Sequence, residues 1–154
     1  MDDRIKLHER VVVVGAEECY RPFPAIRQVD PDEYMLLEPW RVEVPEMRLT
    51  VRVTPGYIFD GASIPKIGWL VVGSPFTGLY PPAALTHDIL YEAELLPREE
   101  CDKVFLDMMR HYGVSNWKSW LMFKAVRNGG GSPWRRHTAM QIENARRLGK
   151  VEKH

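Results

Sequence analysis

The run Pro82-Ala83-Ala84-Leu85-Thr86-His87-Asp88-Ile89-Leu90-Tyr91 constrains this chain more than any other stretch. Pro82 suits the first turn of a helix, where its missing N–H is not needed. The small and apolar residues that follow carry that helix inward. Helical periodicity puts His87 and Tyr91 on one face with Ala84 one turn back, and Asp88 about a quarter-turn around the axis. A histidine that titrates near neutrality, with carboxylates in reach, supplies the parts of an acid–base or metal site. The same parts packed in a core satisfy one another without any chemistry.

The next helix is predicted from near Pro97 to His111, stopped by Gly113. Asp102, Phe105, Leu106 and Met109 fall on one stripe of it, so Asp102 ends the buried face and needs a partner. A third helix is predicted from about Trp117 to Arg127 and is broken by Asn128-Gly129-Gly130-Gly131-Ser132-Pro133.

Upstream of these helices the period changes. Val11–Val14 reads as a short buried strand and Tyr34–Leu37 as another. Trp40–Val44 and Leu49–Val53 alternate apolar and polar side chains as half-buried strands do, with Pro45-Glu46-Met47 as a hairpin connection. Residues 20–33, with three prolines among charges, read as loop. The expected class is α+β. A small N-terminal antiparallel sheet over about 10–58 precedes a mainly helical half with its site region at about 73–127. Together they form a single domain over 1–134, and 135–154 is a basic, peripheral, helical tail.

Asp60-Gly61-Ala62-Ser63 reads as a turn in which Asp60 and Ser63 bond to backbone amides; the alternative is that either faces the His87 site as orienter or ligand. Trp69-Leu70-Val71-Val72 is apolar, read as a buried strand with bilayer contact as the alternative. Gly73–Gly78 forms a loop leading into the His87 helix.

Composition narrows the function classes. Formal net charge is zero, so no overall field draws a polyanion. Charge is uneven locally, with eight acidic and three basic side chains over 16–46, and six Lys/Arg against two Glu from Arg135 onward. The basic tail lacks an aromatic stacking platform, which argues against nucleic acid. Cys19 and Cys101 fit neither a metal spacing nor a disulfide framework, leaving two free thiols or one bridge. The start at Met1–Lys6 has no apolar core or cleavage site of a signal peptide, and no run reaches the ~20 apolar residues of a membrane span. Synthesis in the cytoplasm as a soluble protein is the expectation.

The run Ala84–Tyr91, with Asp102 on a following antiparallel helix, resembles the phospholipase A2 superfamily, most of all its disulfide-poor members in parvovirus capsids and some prokaryotes. The resemblance implies His87 as the general base that activates water, Asp102 as its orienting carboxylate and Tyr91 as a donor to Asp102. It implies Asp88 as a calcium ligand, with backbone carbonyls from the Gly73–Gly78 loop. This loop lacks the tight Gly-x-Gly turn usual in that superfamily.

A second resemblance is wider. Val53–Pro65, His87-Asp88-x-x-Tyr91, Asp102 and Ala125-Val126-Arg127-x-Gly129-Gly130 are similar to a phage and prophage family called domain of unknown function 1353. It implies a viral source and adds Asp60 and Ser63 as site candidates. Two functions follow as expectations. One is a phospholipase A2-like hydrolase acting on lipid esters of a host membrane, made in the host cytoplasm. The other is a non-catalytic virion or assembly protein, with phage structural proteins as partners and the His-Asp pair as a core device. A metal-dependent phosphohydrolase ranks below both, because His8, His111, His137 and His154 show no ligand spacing.

Overall fold

The computed structural model describes residues 23–61, 64–72 and 78–154. The expected strand at Val11–Val14, Cys19, Ser63 and the loop residues 73–77 lie outside the described residues. The architecture is α+β, with antiparallel strands first and helices after, as expected.

Among the described residues the strands form two three-stranded antiparallel sheets rather than one. Ile26–Asp30 (β1) and Glu33–Leu36 (β2) make a hairpin, and Ile58–Phe59 (β5) pairs with the other edge of β2. β1 lies inside the stretch read as loop. Pro31 marks the hairpin turn, where Asp32 takes a positive φ that a short polar side chain tolerates.

Trp40–Val44 (β3) and Leu49–Val53 (β4) pair as their alternation predicts, joined by a single 3₁₀ turn at Pro45–Met47. The third strand of this sheet, Gly149–Lys153 (β6), comes from the far end of the chain and pairs with β4, Val51 opposite Val151. The tail is therefore not peripheral, and its main helix, Ala139–Leu148 (α6), is capped by Thr138 and Gln141 in a reciprocal box.

The remaining helices are Lys66–Val72 (α1), Pro81–Glu92 (α2), Arg98–His111 (α3), Asn116–Gly129 (α4) and Gly131–Arg136 (α5). The stretch at 69–72 is thus helical, not a strand, and Leu70 is 84% exposed. The glycine run does not end the third helix at Arg127: helix continues through Gly129, and a second short helix starts after Gly130.

α2 is the axis of the molecule. Every residue from Pro81 to Tyr91 is buried, the signature of a helix surrounded on all sides. α3 packs along it, and Phe105, Met108 and Met109 fill the shared core. On another side Trp40 Nε1 of β3 donates to Thr86 Oγ1 (3.2 Å), and that hydroxyl donates to Pro82 O (2.8 Å). β6 closes a further side, where Gly149 sits so near Ile89 that a Cβ would press into its side chain.

A buried His-Asp-Tyr-Arg cluster as candidate active site

The polar residues of α2 are each placed by this packing. His87 and Tyr91 point toward α3, as their four-residue spacing requires, and their ring centroids lie 4.2 Å apart. Phe105 covers the other side of the imidazole at 4.7 Å. His87 Nε2 lies 2.9 Å from Asp102 Oδ1, and the Tyr91 hydroxyl donates to the same oxygen at 2.6 Å. Arg127 of α4 donates through Nη1 to the other oxygen, Oδ2, at 2.6 Å. His87 and Asp102 are wholly buried, whereas the Arg127 side chain is 28% exposed.

The charge states follow. Burial lowers the proton affinity of His87 more than the neighbouring carboxylate raises it, so the imidazole is neutral near pH 7. Burial works against the charge on Asp102, but the bonds from His87, Tyr91 and Arg127 hold its carboxyl below the usual range. Burial and the Asp102 carboxylate both push the Tyr91 hydroxyl up, which keeps it the donor. An ionised carboxylate only accepts, so the neutral imidazole carries its proton on Nε2 and its lone pair on Nδ1.

Asp88 points elsewhere. Its Oδ2 accepts from Gly61 N–H at 2.7 Å, and Gly61 holds a positive φ of 70° that glycine adopts at no steric cost. Asp88 lines a cleft of about 320 Å³ with Asp60, Glu33, Glu92, Tyr91 and His137 among its walls. Burial pushes the Glu92 carboxyl up, and the Tyr57 hydroxyl donates to it at 2.9 Å. Tyr91 is the link, lining the cleft and reaching Asp102, while His87 is not on the cleft wall.

Of the residues expected at the site, the fold brings together His87, Tyr91 and Asp102 in one cluster, and Asp88 and Asp60 around the adjoining cleft. Gly78 takes a positive φ of 64° just ahead of α2; Gly73 and Ser63 lie outside the described residues. A hard cation takes about 6–8 oxygen ligands. Among the described residues no three His, Cys, Asp or Glu side chains converge to hold an ion. Asp88 keeps one oxygen on the Gly61 N–H, and most of the 73–78 loop expected to supply backbone carbonyls lies outside the described residues.

Two participants had no role assigned from sequence. Arg127 supplies the counter-charge to Asp102, and Gly130 gives Tyr91 its room: a Cβ there would stand 2.8 Å from the Tyr91 hydroxyl. Both fall in the run Ala125-Val126-Arg127-x-Gly129-Gly130, which was the available signal.

Residues 34–126 match the family described as Protein of unknown function (DUF1353), and the chain belongs to that family. A 78-residue stretch is 37% identical to the uncharacterized protein y4jT of Sinorhizobium fredii (strain NBRC 101917 / NGR234), covering 51% of this chain and 23% of that protein. A 67-residue stretch is 39% identical to the uncharacterized protein y4iH of the same strain, covering 44% of this chain and 28% of that protein. The chain spans roughly a quarter of the length of these curated relatives. No solved structure matches.

Proposed function

We propose that this DUF1353 family member is a phospholipase A2-like hydrolase of lipid esters, with His87 as general base. The observation that carries the reading is the bond from His87 Nε2 to a charged, fully buried Asp102. It leaves Nδ1 as the basic atom of a neutral imidazole with a carboxylate behind it. In the proposed reaction Nδ1 takes a proton from water while the water oxygen attacks the ester carbonyl. Asp102 stabilises the imidazolium so formed, which returns the proton to the leaving alkoxide and yields a fatty acid and a lysolipid. Tyr91 and Arg127 act as positioning residues through Asp102. Calcium, if held by Asp88 with carbonyls from the 73–78 loop, would polarise the ester carbonyl. A phage or prophage source, with a host membrane as target, belongs to the same proposal and rests on the sequence resemblance.

The test is fatty acid release from mixed phospholipid vesicles, with calcium titrated by calorimetry on wild type and Asp88→Asn. His87→Ala is expected to lower turnover about 10²–10⁴-fold, the range of a lost general base. Heat of calcium binding that disappears in Asp88→Asn supports the metal-assisted form.

One observation favours a second reading. His87 and Asp102 have no solvent exposure, and His87 does not line the cleft. That suits a non-catalytic virion or assembly protein whose His-Asp pair orders the core. Absence of lipid turnover, together with a lower melting temperature for His87→Ala, would select it.

A further inference from the structure

α1 begins just after Pro65 and α4 ends against it, since a Cβ on Gly129 would stand 2.6 Å from Pro65 Cγ. α1 and α4 pack closely: a Cβ on Gly68 would stand 2.8 Å from Met122 Sδ and 3.6 Å from Ala125. Their outward faces carry large apolar side chains in water, with Ile67 70%, Leu70 84%, Trp117 61% and Trp120 49% exposed. On α4 the buried residues Ser119, Met122 and Val126 lie opposite Trp117, Trp120 and Leu121. Neither helix contains a single Asp or Glu, although the chain has as many acidic as basic residues. Lys66 opens α1, while Lys118 lies over the Trp117 ring at 5.6 Å and Lys124 over the Trp120 ring at 4.7 Å.

We propose that the α1–α4 face docks on an anionic phospholipid bilayer. Indole rings that are apolar in body and polar at the tip, flanked by lysines with flexible stems, are chemically matched to the headgroup boundary. Helices lying in that boundary combine the same two components, apolar burial and attraction of lysine to anionic lipid. Charge decides between a bilayer and a second copy of this chain. Two copies meeting face to face would set lysines against lysines with no carboxylate on either helix to pair them. Lipid phosphates supply the missing anions. The inference deepens the hydrolase reading, on which its biological sense rests, but vesicle binding requires no turnover.

The experiment is co-sedimentation of the full chain with vesicles of equimolar phosphatidylglycerol and phosphatidylcholine, and with pure phosphatidylcholine vesicles. The expected result is preferential binding to the anionic vesicles, weakened by added salt, with a blue shift of tryptophan emission. Leu70→Ser combined with Trp117→Ser is expected to lower partitioning about tenfold or more. Both side chains are exposed, so the melting temperature should hold. His87→Ala should bind as wild type does.

Equal binding of the double variant and wild type overturns the proposal, as does failure to bind anionic vesicles. Self-association that the double variant abolishes, without vesicle binding, would give the face to a second copy instead. Vesicle binding without lipid turnover would retire the hydrolase reading and leave the docking surface standing. Turnover with unchanged binding in the double variant would do the reverse.

Discussion

Asp102 takes hydrogen bonds from three side chains carried by two other helices, and its charge is the common debt of all three. Breaking a buried charged pair leaves its donors without an anion, so Asp102→Asn is expected to cost about 3–5 kcal/mol in urea unfolding. Arg127→Met, which removes one charge-assisted bond from a partly exposed donor, is expected to cost about 1.5–3 kcal/mol. Periodicity alone placed His87, Tyr91 and Asp102 on facing stripes, because each lies on the buried side of its own helix. Arg127 was not legible in that way. Its partner lies 25 residues back on another helix, and a basic residue near a helix C-terminus looks like any solvated one.

Elements were legible in proportion to how local their causes are. β3 and β4 announce themselves by alternation, and α2 and α3 by their apolar stripes. α1 is seven residues long and nearly all apolar, a pattern that does not separate helix from buried strand; contact with α4 through Gly68 decides it. β6 has one apolar side chain, Val151, and becomes a strand because the free edge of β4 accepts it. Gly149 begins that strand against Ile89. Gly149→Ala is expected to destabilise the protein by about 1–3 kcal/mol through overpacking. Adding Ile89→Val should recover part of the loss in a thermal melt, which would identify steric pressure on the site helix as the cause.

Across the whole molecule, the buried cluster ties stability to pH. Unfolding frees His87 to bind a proton below about pH 6.5, which the folded protein resists because burial lowers its affinity. That contribution is complete above about pH 6.5 and is lost as pH falls through the lowered folded value. Asp102 adds stability that is present above its ordinary value of about 3.9 and lost as pH falls through its depressed one. Glu92 and Asp107, raised by burial, act in the opposite sense: their contribution is full in acid and fades as pH rises through their folded values. The denaturation midpoint is therefore expected to decline as pH falls below about 6.5, with His87→Gln flattening that limb.

The β4–β6 pairing has a consequence in time rather than in energy. Residues 54–148, with His87, Tyr91, Asp102 and Arg127 among them, form the loop between two strands that must meet. α2 and α3 contact each other over a short span of sequence and can associate early. The sheet waits for the ends of that long loop to find each other. A refolding chain is therefore expected to dock the His87 helix pair before β4 and β6 meet.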